Sequence, residues 1–127
     1  IKFGIEKELI LGNLQSERDW GYAKDFVKAM WLMLQQDKPQ DFIIATGESH
    51  TVEEYVKLAF ETVSLDWRDY VKTDPNLFRP AEPNPLCGDP TKAQNILGWE
   101  PETRFNDLVR LMVQSDLQYN IDAPPSL

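Results

Sequence analysis

The amino-acid sequence predicts an α/β protein of about four helices with a few short, mostly parallel strands. Two short apolar runs, residues 9–11 and 41–47, flank a segment in which apolar residues recur every three or four positions. Such a strand–helix–strand order is typical of parallel strands in one sheet. Amphipathic segments further along the chain supply the other predicted helices.

The first strand and helix are predicted between residues 9 and 38. Gly12 and Asn13 end the first apolar run, which is expected to be a buried strand. Asp19 is the predicted N-cap of the following helix, and Pro39 must lie beyond its end. One face is expected to be core, and its apolar residues are Tyr22, Ala23, Phe26, Val27, Met30, Trp31 and Leu34.

A polar turn is predicted between that strand and that helix. It holds Asn13, Arg18 and Asp19. A cationic side chain between a strand end and a helix start suits an anionic ligand, because the N-terminal amides of a helix carry partial positive charge. The turn is therefore the first candidate for a binding site.

The remaining elements follow from capping and proline patterns. Thr51 is the predicted N-cap of a second helix that ends near Ser64, and residues 67–72 alternate as a short edge strand. Five prolines within residues 74–90 predict an extended loop. Asp89 or Thr91 is expected to cap a short helix over 92–97, which Gly98 ends, and the last helix is predicted over 105–119.

Composition excludes several classes of protein. The 127 residues suit a single domain over 1–127, and a net charge of −8 argues against nucleic-acid binding. The chain has a single cysteine, Cys87, which excludes an internal disulfide. Cys87 lacks the Cys and His partners of a zinc site, so no metal site is expected. Its side chain is expected to be buried or half-buried. No apolar run is long enough to span a membrane, which favours a cytoplasmic protein. Ile1 has no preceding methionine, so a fragment is expected.

Several runs, in this order and spacing, closely resemble the GDP-mannose 4,6-dehydratase family of extended short-chain dehydrogenases/reductases. They cover essentially the whole chain and are Leu11-Gly12-Asn13-Leu14, Arg18-Asp19-Trp20-Gly21, Ala23-Lys24-Asp25-Phe26-Val27, Ala29-Met30-Trp31-Leu32-Met33-Leu34-Gln35, Ile44-Ala45-Thr46-Gly47, Phe78-Arg79-Pro80-Ala81-Glu82, Gly88-Asp89-Pro90-Thr91-Lys92-Ala93 and Leu97-Gly98-Trp99.

The resemblance implies the C-terminal, substrate-binding portion of such an enzyme. In this family an N-terminal Rossmann domain supplies the Gly-rich NADP loop and the catalytic group, which consists of Thr or Ser, Glu and Tyr-x-x-x-Lys. That domain is expected to be absent from this chain, because no tyrosine here is followed four residues later by lysine. No catalytic residue is therefore expected in this chain. NADP would be bound by the full-length enzyme and not by this chain alone, and the family reaction converts GDP-mannose to GDP-4-dehydro-6-deoxymannose and water.

The resemblance also assigns substrate contacts. Arg18 and Arg79 match arginines that contact the nucleotide diphosphate, while Asn13 and Glu82 match positions that line the GDP-sugar site. Two guanidinium groups from separate loops can hold a diphosphate through bidentate hydrogen bonds. From the residues alone, Arg18 could instead pair with a nearby carboxylate and Arg79 could be solvated. Asp25 is expected to bond a neighbouring loop.

Two other functions remain open at this stage. The chain could be a stand-alone, non-enzymatic module that binds a nucleotide sugar or associates with itself, and a homo-oligomer is expected because loss of the Rossmann half would expose apolar surface. It could also belong to a related dehydratase or epimerase that acts on another nucleotide sugar.

Overall fold

The structure is a computed structural model that describes residues 1–78 and 87–122. Its helices are α1 (Ala23–Leu34), α2 (Val52–Thr62), α3 (Thr91–Leu97) and α4 (Phe105–Asp122). Its strands are β1 (Leu9–Leu11), β2 (Glu17–Arg18), β3 (His50–Thr51) and β4 (Val71–Thr73). This content confirms the predicted α/β class, with four helices and short strands in the part of the chain described.

The described residues form two compact units that alternate along the sequence. Unit 1 contains residues 1–16, 51–78 and 106–122, and unit 2 contains residues 17–50 and 87–105. The organisation of residues 1–127 as a single domain stays a prediction.

Unit 1 contains the parallel strand pair. β1 pairs with β4, with Leu9 opposite Val71 and Leu11 opposite Thr73. The strand predicted at 9–11 is confirmed, but the expectation that it is buried is wrong, since Ile10 is 50% exposed. The edge strand predicted over 67–72 is shifted, because Trp67–Asp69 forms a 3-10 turn and β4 begins only at Val71.

Unit 1 also confirms the predicted start of the second helix. The Thr51 side chain accepts a hydrogen bond from the Glu54 amide, and the Glu54 carboxylate accepts one from the Thr51 amide. This reciprocal pair is a capping box, which satisfies backbone donors that the helix itself leaves unpaired. Along α2, Val56 and Phe60 are buried, and the Phe60 ring stacks on Tyr70 at 5.8 Å.

Unit 2 packs around one buried tryptophan. The core consists of Ala29, Ala93, Leu97 and Trp99, and α1 contacts α3. Trp99 donates from Nε1 to the carbonyl oxygen of Asp25 at 2.8 Å, so its polar atom has a partner inside the core. α3 ends as predicted at Gly98, whose φ of 62° lies in the left-handed region.

Two predictions about unit 2 are wrong. α1 begins at Ala23, and its N-cap position is Tyr22, with no side-chain cap, so Asp19 does not cap it. Trp31 is 60% exposed and therefore not core. The buried side of α1 is the one that carries Ala29, while the residues on the exposed side are Val27, Met30, Trp31 and Leu34.

The strand predicted at 41–47 does not form in the part of the chain that the structure describes. This segment is not paired with any described strand, although Ala45 and Thr46 are buried. A β-strand is defined by hydrogen bonds to a neighbouring strand, so an apolar run without such a neighbour remains only extended chain. The predicted β1–α1–β arrangement is therefore wrong, and β4 is the parallel partner of β1.

The structure corrects or extends three smaller predictions. The last helix continues beyond the predicted end at residue 119, to Asp122. Cys87 is exposed rather than buried or half-buried. Thr91 lies inside α3 and Asp89 precedes its N-cap position, but the Asp89 carboxylate still accepts hydrogen bonds from the Thr91 amide and hydroxyl, at 2.9 and 2.5 Å.

Candidate functional site

Arg18, the first candidate ligand contact, lies in unit 2 within β2 and not in a turn. Its side chain is half-buried, and Nη1 donates to the carbonyl oxygen of Glu17 at 2.6 Å. β2 pairs with β3. Since α1 begins only at Ala23, the position of Arg18 is set by this strand pair and by the residues next to it.

Asn13 lies in unit 1, directly after β1 and Gly12. Its Oδ1 accepts a hydrogen bond from the Gln15 amide at 2.9 Å, a local side-chain-to-backbone turn typical of asparagine. Gly12 is required here for space, because a Cβ atom at this position would lie 2.7 Å from the carbonyl oxygen of Leu77. Asn13 therefore shapes the loop that leaves β1.

Arg79 and Glu82, the other two sequence-predicted site residues, lie outside the described residues. Of the four candidates, the structure thus describes Asn13 in unit 1 and Arg18 in unit 2.

Asp19 is the polar centre of unit 2, which the sequence analysis missed. Oδ1 accepts hydrogen bonds from the Thr46 amide and hydroxyl at 2.9 and 2.6 Å, and Oδ2 accepts from the amides of Gly47 and Gly88 at 3.1 and 3.2 Å. The donors are 27 to 69 residues away in sequence. One carboxylate therefore joins three separate segments of unit 2.

Gly88 approaches this centre closely because it has no side chain. A Cβ atom built there would lie 2.2 Å from the Cβ of Ala45, a distance that side chains do not tolerate without a backbone shift. Glycine is thus needed for the Gly88 amide to reach Asp19. The sequence signal was present in the runs that carry the family resemblance, but nothing in them pairs positions 19, 46 and 88.

The segment of residues 46–50 in unit 2 makes a second set of side-chain contacts, with Arg104 and Phe105. Arg104, which sequence reasoning did not single out, donates from Nη1 to Glu48 Oε1 at 3.0 Å and lies 3.5 Å from the carbonyl oxygen of Thr46. The His50 ring stacks on Phe105 with centroids 3.8 Å apart. His50 lies in β3 and is half-buried.

Trp20, which follows Asp19, packs against another aromatic side chain of unit 2. Its ring lies 5.7 Å from that of Phe105, measured between centroids, with the planes tilted by 32°. Trp20 and His50 thus both contact the Phe105 ring. Each of the three aromatic residues directly follows a polar residue of unit 2, namely Asp19, Ser49 and Arg104.

Asp25 has the scaffold role that the sequence predicts. It is buried, and its Oδ2 accepts a hydrogen bond from the Thr103 amide at 2.8 Å. The expectation that Asp25 bonds a neighbouring loop is confirmed.

Unit 1 contains an apolar cavity of about 460 Å³. It is lined by Phe60 of α2, by Val63 just after that helix, by Leu117 of α4 and by the first residues of the chain, and neither Asn13 nor Arg18 is among its lining residues. Among residues 1–78 and 87–122, no group of three His, Cys, Asp or Glu side chains is arranged to hold a metal ion. No helix in the described part of the chain is both long and apolar enough to cross a membrane.

Solved structures define the class of fold. A structure of RMD from Pseudomonas aeruginosa complexed with NADPH superposes on this chain with a TM-score of 0.78 and 19% sequence identity. The superposition covers 89% of this chain and 37% of the RMD chain. The dTDP-glucose 4,6-dehydratase of Bacillus anthracis, in complex with NAD, matches 91% of this chain and 36% of its own with a TM-score of 0.75 and 21% identity. The chain therefore has part of the extended short-chain dehydrogenase/reductase fold.

Sequence comparison then identifies the family. The family model for GDP-mannose 4,6 dehydratase matches residues 1–112. GDP-mannose 4,6 dehydratase 2 of Arabidopsis thaliana is 53% identical over 118 residues, which are 93% of this chain and 32% of that protein. The chain belongs to the GDP-mannose 4,6 dehydratase family, and it spans about a third of the length of the curated relatives it matches.

Proposed function

We propose that this chain is the substrate-binding, C-terminal portion of a GDP-mannose 4,6-dehydratase, which converts GDP-mannose to GDP-4-dehydro-6-deoxymannose and water. The family match over residues 1–112 carries the proposal. The residues that would perform hydride and proton transfer belong to an N-terminal Rossmann domain outside this sequence. NADP would be bound there and would accept and return the hydride, while this chain would be inactive alone.

In this proposal Arg18 and Arg79 hold the diphosphate, and Asn13 and Glu82 line the rest of the GDP-sugar site. The Arg18 side chain is half-buried and already bonded to the Glu17 carbonyl, so it has less rotamer freedom to lose on binding than a solvated arginine. A guanidinium group can donate two parallel hydrogen bonds to phosphate oxygens, which a lysine cannot.

Exposed apolar surface supports the proposal of a larger enzyme. Four residues at helical spacing on α1 are 60% to 82% exposed, and they are Val27, Met30, Trp31 and Leu34. A continuous apolar helix face is usually covered by another part of a protein. The Rossmann domain is the proposed cover. A cytoplasmic location and a homo-oligomer are part of the same proposal.

The test uses the full natural chain that contains these residues, with NADP and GDP-mannose. We expect formation of GDP-4-dehydro-6-deoxymannose, a large rise in KM with Arg18→Ala and a smaller rise with Arg18→Lys, which keeps the charge but loses the bidentate geometry. Arg68→Ala is the matched control, since Arg68 is exposed on a 3-10 turn of unit 1 beside Asp66.

Two results would refute the proposal. An unchanged KM and an unchanged Kd for GDP in Arg18→Ala would reject the site. Calorimetric titration that showed tighter binding of a UDP- or dTDP-sugar than of GDP-mannose would reject the substrate and favour a related dehydratase or epimerase.

A further inference from the structure

We propose that Asp19 is a positioning residue that holds Arg18 ready to bind the ligand diphosphate. This inference rests on the proposed function, because it takes Arg18 as the diphosphate contact. Asp19 itself touches no ligand in this proposal, since its carboxylate oxygens are already engaged by four donors of unit 2.

The geometry shows why an acidic residue is needed at position 19. Oδ1 faces the amide and hydroxyl of Thr46, and Oδ2 faces the amides of Gly47 and Gly88. All four of these partners among the described residues are donors, so the side chain accepts through both of its oxygens. A carboxylate does so, whereas an asparagine would direct its NH₂ group at donors on one side.

The bonds of Asp19 act on Arg18 through the backbone. The two residues are adjacent, so fixing the Asp19 side chain to Thr46, Gly47 and Gly88 restricts the peptide that follows Arg18 in β2. The Glu17 carbonyl holds the guanidinium at the other side. Ordering a long side chain before the ligand arrives lowers the entropy lost on binding.

Hydrogen-bond donors of unit 2 occupy both carboxylate oxygens of Asp19. Three backbone amides and one hydroxyl donate to the carboxylate. Replacing one oxygen by an amide group would leave donors facing each other in a half-buried site, which costs more than the loss of a single hydrogen bond.

Gly88 supplies an independent way to disturb the same centre. Gly88→Ala would place a Cβ atom 2.2 Å from the Cβ of Ala45, so the Gly88 amide must move away from Asp19. Ala45→Gly removes the atom of the severe clash and leaves only Ile43 Cγ2 close, at 3.3 Å, at the end of a side chain that can shift by a few tenths of an ångström. The double variant Ala45→Gly/Gly88→Ala should therefore restore the approach and the hydrogen bond, while Ala45→Gly alone leaves them in place.

The experiment measures the Kd of GDP and of guanosine, and the KM and kcat for GDP-mannose, in the full natural chain well below its melting temperature. We expect Asp19→Asn to raise the Kd of GDP by about tenfold, equivalent to about 1.4 kcal/mol. The Kd of guanosine, which has no phosphate for Arg18, should not change, and KM should rise while kcat stays constant. Gly88→Ala should act in the same way, and the double variant should recover.

Should Asp19→Asn not fold, Thr46→Val removes one bond to Oδ1 and should raise the Kd of GDP by a smaller factor, with Thr46→Ser as its control. Equal weakening of GDP and guanosine, or a lower melting temperature with an unchanged Kd of GDP, would overturn the proposal and leave Asp19 with a structural role only. An unchanged Kd in Arg18→Ala would instead reject the proposed site itself.

Discussion

The tryptophans of α1 and of the α3–α4 connection give a direct test of how unit 2 is packed. Trp99 is 1% exposed and donates to the Asp25 carbonyl oxygen at 2.8 Å, and its ring meets Phe26 edge-on with centroids 6.1 Å apart. Trp31 is 60% exposed. The same substitution, tryptophan to phenylalanine, should therefore have very different effects at the two positions.

The loss at position 99 can be estimated from two contributions. The lost indole hydrogen bond contributes about 1 kcal/mol. The smaller ring leaves a space of about 40 Å³, which at about 24 cal/mol per Å³ contributes about 1 kcal/mol more. Trp99→Phe should thus lower the free energy of unfolding by about 2 kcal/mol, while Trp31→Phe should change it by less than about 0.5 kcal/mol.

Urea unfolding of the 127-residue chain, followed by far-UV circular dichroism, measures both variants. With a slope of about 2 kcal/mol per M, Trp99→Phe should lower the midpoint by about 1 M. Trp31→Phe is the matched control, because it makes the same chemical change on the exposed face of α1. Equal midpoints for the two variants, or a larger loss with Trp31→Phe, would refute the assignment of Trp99 to the core.

Two further predictions concern local hydrogen bonds. Thr51→Ala should lower the free energy of unfolding, measured in urea, by about 1 kcal/mol, because it removes the capping box of α2. The control is Thr62→Ala, which removes a hydroxyl that donates to the Leu58 carbonyl oxygen within the same helix and should lower the free energy of unfolding by less. An equal loss in the two variants would contradict the capping role of Thr51. Hydrogen bonds from the Thr91 hydroxyl and amide hold the pKa of the Asp89 carboxyl below its ordinary value of 3.8. A carboxyl whose pKa is lower in the folded than in the unfolded protein stabilises the fold at pH values above its ordinary pKa. This stabilisation is lost as the pH falls through the folded-state pKa, so the effect on the free energy of unfolding lies below about pH 4. Thr91→Val should raise the Asp89 pKa in an NMR titration of the carboxyl carbon, and an unchanged value would show that the hydroxyl does not lower it.

Local signals in the sequence predicted local structure well. Thr51 and Glu54 lie three residues apart and form the capping box of α2, and Gly98 ends α3 in the left-handed conformation. Both follow from interactions within one turn of helix, so a single sequence is sufficient to find them. The scaffold role of Asp25 was likewise predicted, although its partner Thr103 was not.

The candidate site was predictable only as a set of residue types. The resemblance pointed to Asn13 and Arg18 as substrate contacts, and their roles stay predictions. No sequence pattern connects Asp19 with Thr46 and Gly88, because hydrogen bonds over 27 and 69 residues leave no spacing pattern in one sequence. Asp19 instead looked like a helix N-cap, since an aspartate shortly before an amphipathic segment is common there.

From the sequence alone, the α/β class, the start of α2 at Thr51, the end of α3 at Gly98 and the apolar faces available for packing could be predicted. Which of those faces is buried depends on the packing of the whole fold: Ala29 lies against Trp99 in the core, and Trp31 on the opposite side of α1 is exposed. The same packing leaves residues 41–47 without a described strand partner and pairs β4 with β1. The periodicity of apolar residues indicates the conformation of one segment. Strand pairing, burial and the hydrogen bonds of the Asp19 carboxylate depend on residues that are distant in the chain, which periodicity does not reveal.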